Sequence, residues 1–416
     1  MKAIRRRWLA EQVAAALRVL PVVAVTGARQ TGKTTLVRSL WPDRTYFSLD
    51  DIELLSQARK EPAALVAEPP LTLDEVQREP GLLLAVKRAV DLQRRAGDFL
   101  LTGSANLLLS QRITESLAGR AVYVELPPFC PCEWREDAGG LQALQRLFEP
   151  GFKSKDWPVV AADWPAWLVR GGLPPVLALA TAAERDLWFR GYVQTFIERD
   201  LRHLSAVSNL PDFQRLMTLL AQQSGRLINQ ANLARDAGLS HPTAHRYLNL
   251  VEVACLMTRL PPFAANVTAG VVKSPRWFWS DCGLAAWLAG IRAPGDLRHR
   301  SDRGFWLEQT LFQTLQVWRA MAPATRRLYF WRDHSGCEVD FILAEHDRLV
   351  ALEIKASTQV GVGDARGLLA FREALGRKGR EVRGVVLHDG PPRPLADNIY
   401  ALPFGWLVPA ESKRSA

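Results

Sequence analysis

An α/β chain of several domains is what this sequence predicts: a phosphate-binding-loop domain, a helical segment, a helix-turn-helix with a wing, and a last α/β domain built on a β-hairpin. Three observations carry that expectation. Residues Gly27-Ala28-Arg29-Gln30-Thr31-Gly32-Lys33-Thr34 fit the pattern G-x-x-x-x-G-K-[ST] between an apolar run and a helical stretch. Residues 21–127 alternate short apolar strands with helical segments, as a parallel sheet covered on both faces requires. Near the C-terminus, two adjoining strands carry Asp340 and Glu353-x-Lys355.

The elements follow in chain order. Residues 1–20 read as an amphipathic entry helix, with Trp8, Val13, Leu17 and Leu20 at helical spacing. Pro21 to Thr26 reads as a buried strand feeding the loop, and Thr34 to Leu40 as the start of a helix. Glycine lets such a loop curl so that successive backbone N–H groups face a chain of phosphates. Lys33 would reach the β- and γ-phosphates, and the Thr34 hydroxyl would ligate Mg²⁺. The expected nucleotide contacts are Gly27, Arg29, Gln30, Thr31, Gly32, Lys33, Thr34 and Thr35. Leu71 to Glu75 is an apolar strand ending in two acids; Asp74 would hold Mg²⁺ and Glu75 would polarise the attacking water. A third strand, Asp98 to Thr102, runs into Gly103-Ser104-Ala105-Asn106, where Ser104 or Asn106 is the candidate γ-phosphate sensor. The strand Ala121 to Leu126 and Pro127-Pro128 close this domain, residues 1–128.

Residues 129–205 read as mainly helical, broken at Gly171-Gly172-Leu173-Pro174-Pro175. Residues 206–280 read as a winged helix-turn-helix: helices Asp212–Gln223 and Gln230–Ala237, a turn at Gly238-Leu239, and a third helix His241–Val253 capped by Ser240. Thr243, His245 and Arg246 fall on its early exposed side, and Lys273 and Arg276 on the wing. This third helix would either read a DNA major groove or serve only packing and protein contacts.

Residues 281–416 carry the second chemical set. On alternating strand geometry Glu353 and Lys355 share a face, and Glu308 on the helix Phe305–Met321, read as amphipathic, could face them. Two or three carboxylates with one lysine are the metal-dependent nuclease arrangement written PD-(D/E)xK. Asp340 and Glu353, with Glu308, would bind Mg²⁺, and Lys355 would activate a water beside a scissile phosphate. The alternative is an ion-paired Glu353–Lys355 edge on a domain used for binding.

Bulk properties narrow the classes. Net charge is +10, the isoelectric point is about 9.6, and only ten of the 53 basic residues are lysines. That balance suits a polyanion such as DNA. The five cysteines, at 130, 132, 255, 282 and 337, form no disulfide framework or zinc spacing and suit a reducing cytosol. The longest apolar stretch near the start is broken by Arg18 and Pro21, too short to span a membrane. A cytoplasmic protein with no membrane association is expected.

Nearly end to end, the chain resembles the bacterial and archaeal AAA-type ATPases that carry a C-terminal domain of uncharacterised function with a restriction-endonuclease-like fold. The resemblance rests on Thr26 to Thr34, Phe47-Ser48-Leu49-Asp50-Asp51, Leu73-Asp74-Glu75-Val76-Gln77, Leu101 to Ser104, Ser116 to Arg120 and Gly171 to Pro174. It extends over Glu198-Arg199-Asp200, Ser274-Pro275, Asp281-x-Gly283-Leu284, Glu338 to Phe341 and Glu353-x-Lys355. At Arg276 that family's pattern usually has a lysine. The resemblance implies an AAA-type P-loop ATPase domain, a helical lid over residues 129–205, a winged helix-turn-helix and a restriction-endonuclease-like domain. ATP, rather than GTP, is implied by the family alone. It further implies an arginine finger at Arg120, or Arg112 in its place, that acts on a neighbouring subunit's nucleotide in a homo-oligomer. Two functions compete: an ATP-driven machine acting on nucleic acid, and a nucleotide-dependent switch that docks proteins without cleavage.

Overall fold

Five parallel strands, in the order β2-β3-β4-β1-β5, form the sheet of the first of two units. They are β1 (Val22–Thr26), β2 (Thr45–Ser48), β3 (Leu71–Asp74), β4 (Phe99–Thr102) and β5 (Ala121–Glu125). The computed structural model describes residues 4–103, 117–196, 209–264 and 274–410. The first unit comprises Met1–Pro128, Leu173–Pro175 and Val251–Leu256. Phe129–Gly172, Val176–Leu250 and Met257–Ala416 make up the second. Every residue of β1, β3 and β4 is buried, which is why these strands read as continuous apolar runs rather than alternating ones. Around the sheet lie α1 (Ala10–Leu17), α2 (Lys33–Leu40), α3 (Ile52–Lys60), α4 (Pro62–Leu65) and α5 (Leu82–Leu92). Leu73, Leu101, Val86 and Val90 belong to the core between strands and helices. Parallel register brings the carboxyl ends of β1, β3 and β4 side by side, at Thr26, Asp74 and Thr102. Ligands of open α/β sheets collect at such ends.

The entry helix is shorter than its spacing suggested. It ends at Leu17, and Leu20 is left outside it, ahead of Pro21. Strand β2, which periodicity did not single out, is only partly buried along its length.

After β5 come α6 (Pro131–Trp134), α7 (Gly139–Arg146), α8 (Trp164–Arg170), α9 (Pro174–Leu177), whose first two residues belong to the first unit, and α10 (Ala182–Phe196). Next come α11 (Leu210–Gln222), β6 (Arg226–Leu227), α12 (Gln230–Ala237), α13 (His241–Val253), β7 (Met257–Leu260) and β8 (Arg276–Trp279). The three strands pair antiparallel in the order β6-β8-β7. Asn229 caps α12, and Gly238 ends it in the left-handed conformation. These helices match the sequence expectation to within two residues. Strand β7 begins at Met257, with three residues between it and the end of α13, and Cys255 among them turns the chain at φ 54°.

After α14 (Cys282–Leu288), the long α15 (Arg303–Met321) leads into β9 (Arg326–Arg332), β10 (Glu338–Glu345), β11 (Arg348–Ile354) and α16 (Arg366–Ala374). Strands β12 (Arg383–His388), β13 (Arg393–Ala396) and β14 (Ile399–Pro403) complete a six-stranded sheet, β13-β14-β12-β11-β10-β9. The β10–β11 hairpin is antiparallel, whereas β11 pairs parallel with β12. Helix α15 is not amphipathic: every residue from Trp306 to Trp318 is buried. Three of its polar side chains bond backbone outside the helix, while both polar atoms of buried Gln316 are without a partner. Gln309 Oε1 accepts from Trp279 N and Gln309 Nε2 donates to Trp279 O, Gln313 does the same for Cys282 N and Phe129 O, and Thr314 donates to Leu407 O.

Among the described residues no helix is long and apolar enough to cross a membrane. All five cysteines are free. Ser104, Asn106, Arg112, Lys273 and the segment Glu198-Arg199-Asp200 lie outside the described residues.

Candidate nucleotide site and acidic cluster

Strand β1 delivers the chain into the phosphate loop at Gly27, whose φ of 136° is closed to most L-residues. A Cβ there would lie 2.5 Å from the Leu126 carbonyl oxygen. Gly32, at φ 93°, turns the loop into α2. Inside it, Thr31 Oγ1 donates to Ala28 O at 3.0 Å. The guanidinium of buried Arg7 braces the turn from outside the sheet, donating to Thr31 O at 2.8 Å and to Pro127 O at 2.6 Å. Gln30 and Thr35 are exposed and Arg29 is half-buried.

Lys33 opens α2 with its ammonium folded back on the loop, donating to Gly27 O at 3.1 Å and to Ala28 O at 2.8 Å. Burial lowers its pKa, opposed by the carboxylates of Glu75 and Asp74. Thr34 Oγ1 donates to both Asp74 oxygens, at 3.0 and 3.2 Å. Asp74 also accepts from Tyr46 Oη at 2.6 Å and from Thr102 Oγ1. Burial raises the Tyr46 hydroxyl pKa, and the bond to Asp74 raises it further. Glu75 follows at φ 57°, an uncommon conformation for glutamate. Its amide donates to Thr102 Oγ1 at 3.4 Å, and its carboxylate accepts from Gln77 Nε2. Arg120 is engaged within its own chain, with Nε on Asp91 Oδ1 and Nη1 on Ala118 O.

Loop, lysine, threonine and acids thus converge at one end of the sheet. Gly27 lets the backbone curl where a side chain would strike the Leu126 carbonyl, and the Thr34 and Asp74 oxygens are hard donors suited to Mg²⁺. The residues present fit a magnesium–nucleotide. Tyr46 and Thr102 were not singled out by the motifs. The signal available was position alone: Thr102 ends β4 and Tyr46 lies within β2, the two strands that flank β3.

In the second unit, four elements converge on a buried charge cluster. Strand β8 supplies Arg276, α15 Glu308, β10 Asp340, and β11 Glu353 with Lys355 just past its end. Arg276 was expected on an exposed wing, yet it is 6% exposed. Its Nη2 donates to Glu308 Oε2, its Nη1 lies 3.5 Å from Asp340 Oδ1, and its Nε donates to Gly225 O. The other Asp340 oxygen accepts from Ile354 N at 2.8 Å. Lys355 Nζ donates to Glu353 Oε1 at 2.7 Å, and Glu353 Oε2 is buried with no partner.

Three carboxylates face two cations here. Burial pushes Glu308 up to about 8, Asp340 adding to the rise and Arg276 opposing it. Burial and Asp340 likewise push Glu353 up to about 8. Arg276 is raised: burial works against its charge, but Glu308 and Asp340 outweigh it. Burial thus favours the protonated form of both acids, against the opposing charges of Arg276 at Glu308 and of Lys355 at Glu353. Among the described residues no group of three or more histidine, cysteine or acidic side chains is set to hold a metal ion.

On α13, His245 and Arg246 are exposed as expected. His245 is held between Gln230 and Asn249 at 3.0 Å each.

An uncharacterized protein of Mycobacterium tuberculosis is 31% identical to this chain over 404 residues, 96% of this chain and 84% of the relative. A protein of Mycobacterium bovis matches to the same degree. The chain belongs to their family. A Haemophilus influenzae protein, also uncharacterized, is 20% identical over 66% of this chain and 63% of its own length. The AAA domain family matches residues 20–134, which span the phosphate loop, Asp74, Glu75 and Arg120. Two domains of unknown function, DUF8612 and DUF4143, match residues 161–295 and 303–407. Among solved structures, the Walker-type ATPase PABY2304 of Pyrococcus abyssi aligns at 16% identity and a TM-score of 0.41, covering 67% of this chain and 94% of its own. The Thermotoga maritima RuvB Holliday junction branch migration motor aligns at 18% and 0.29, covering 61% of this chain and 89% of its own. The chain carries a P-loop AAA domain of the kind found in ATPases.

Proposed function

We propose that the first unit hydrolyses ATP with Mg²⁺ and that the second couples the cycle to a nucleic acid, DNA in the first instance. The observation that carries the reading is the Thr34–Asp74 pair, 3.0 Å apart beneath the loop with Glu75 as the next residue. Mg²⁺ held by Thr34 and Asp74 would neutralise charge on the phosphates. Lys33, freed from the Gly27 and Ala28 carbonyls, would trade two neutral acceptors for anionic ones. Gln77 holds the Glu75 carboxylate, and its release would let Glu75 take a proton from the attacking water. Arg120 would leave Asp91 to reach a neighbouring subunit's nucleotide, so that assembly into a homo-oligomer would speed turnover. Lys33→Ala should abolish turnover and weaken binding. Glu75→Gln should keep MgATP binding by calorimetry while hydrolysis falls by two orders of magnitude or so, roughly the scale of losing one transition-state contact. Hydrolysis at the wild-type rate in both variants would end the assignment.

The DNA half draws support from the order α11, β6, α12, α13, β7, β8, which is that of a winged helix, and from exposed His245 and Arg246 on α13. The order α15, β9, β10, β11, α16, β12 is that of a restriction-endonuclease-like core. A competing reading, a nucleotide-dependent switch that docks proteins and cuts nothing, is favoured by the engagement of Glu308 and Asp340 with Arg276. Salt-sensitive DNA binding by the full chain separates the two.

A further inference from the structure

We propose that Arg276 is the resident cation of the Glu308–Asp340–Glu353 cluster, standing where a divalent metal would stand, and that this domain therefore does not cut by a metal-dependent route. The inference is independent of ATP hydrolysis by the first unit.

A two-carboxylate metal site needs lone pairs from both acids directed at one point. Here Glu308 Oε2 and Asp340 Oδ1 are directed at one guanidinium. Asp340 Oδ2 is held by the Ile354 amide, and Glu353 Oε1 by Lys355. Of the oxygens of these three acids, Glu353 Oε2 is the one that is buried without a partner, and a single such oxygen is too few for Mg²⁺ or Mn²⁺.

The guanidinium is fixed on every side. Its Nε donates to Gly225 O, Nη1 also reaches Asp340 O at 3.4 Å, and Phe278 and Phe330 lie 5.4 and 6.0 Å from its centre. A side chain bonded along its whole length and 6% exposed is not a lid that swings aside for an ion. Arginine also keeps its charge at any working pH, so the plug does not loosen by deprotonation.

The test is a Mn²⁺ titration of the nucleotide-free full chain, read by electron paramagnetic resonance, for the wild type and for Asp340→Asn and Glu353→Gln. All three isotherms should coincide, with any weak binding at Asp74 common to them. Supercoiled plasmid incubated with the wild type and Mg²⁺ or Mn²⁺ should stay intact. A bound Mn²⁺ in the wild type that Glu353→Gln removes, or nicking that Glu353→Gln stops, would overturn the proposal. Arg276→Met should gain one Mn²⁺ per chain and melt at a higher temperature with it, while Arg276→Lys, which keeps the charge, should gain none. A folded Arg276→Met that binds no additional ion would also count against it. The wild-type titration decides by itself if that variant does not fold.

Discussion

Tyr46 and Thr102 flank Asp74 with hydroxyl groups, so the acid that would hold Mg²⁺ is oriented before any ion arrives. Tyr46 is itself covered by the Arg38 guanidinium, 5.0 Å from its ring centre. Tyr46→Phe removes one hydrogen bond worth about 1 kcal/mol. The apparent Mg²⁺ requirement for ATP turnover should rise several-fold while KM for the nucleotide changes little; an unchanged Mg²⁺ titration would show that Asp74 is held without it. Glu353 offers a second residue-level test. Its pKa is raised in the fold, so the native state holds a proton the unfolded chain has released, and the resulting stability is present below about pH 4.5 and lost as pH climbs towards 8. Glu353→Gln should flatten the fall in urea midpoint between pH 5 and pH 8, and parallel curves would place the proton elsewhere. The phosphate loop and Asp74-Glu75 were legible in sequence because spacing along the chain sets their chemistry. Arg276 was not: the cluster is assembled from β8, α15, β10 and β11, and an arginine on a strand looks identical whether it faces solvent or carboxylates.

Helix α15 shows the same limit for a whole element. It was read as amphipathic in sequence, yet Gln309, Gln313 and Thr314 serve neighbouring backbone groups inside the unit. Gln309→Leu keeps the volume but strips Trp279 of both its partners, and should lower the stability of the second unit by about 2–4 kcal/mol in urea unfolding. A loss near zero would mean water or Ser224 makes good the bonds. Helix α13 was read correctly to its ends because its signals, a capping serine and a glycine turn, are local. There, Arg246→Ala should weaken DNA binding uniformly across sequences and reduce the slope of log affinity against log salt by about 1. Loss confined to one sequence would instead mean base readout. The strands β12 to β14 had no such local flags, and only pairing with β11 makes them a sheet.

At the scale of the chain, the α/β class with a parallel sheet was legible; that Leu173–Pro175 and Val251–Leu256 join the first unit was not, because those segments lie far from it in sequence. Pro174 brings its ring to within 3.6 Å of where a Cβ on Gly32 would sit. Two units imply that one melting temperature will not describe the protein. Calorimetry should resolve two transitions, and MgATP at about a hundred times its Kd should stabilise one by about 2.7 kcal/mol. Lys33→Ala should erase that shift, and a shift surviving in the variant would place the nucleotide elsewhere. The brace from Arg7 adds a hazard for anyone handling the protein. One side chain ahead of α1 ties the Thr31 carbonyl of the phosphate turn to the Pro127 carbonyl, so a cut beyond Arg7 acts, in effect, on the nucleotide pocket. Preparations partly trimmed past Arg7 would then be mixtures of tight and slack binders, and mass spectrometry of that segment becomes a prerequisite for trusting any measured affinity.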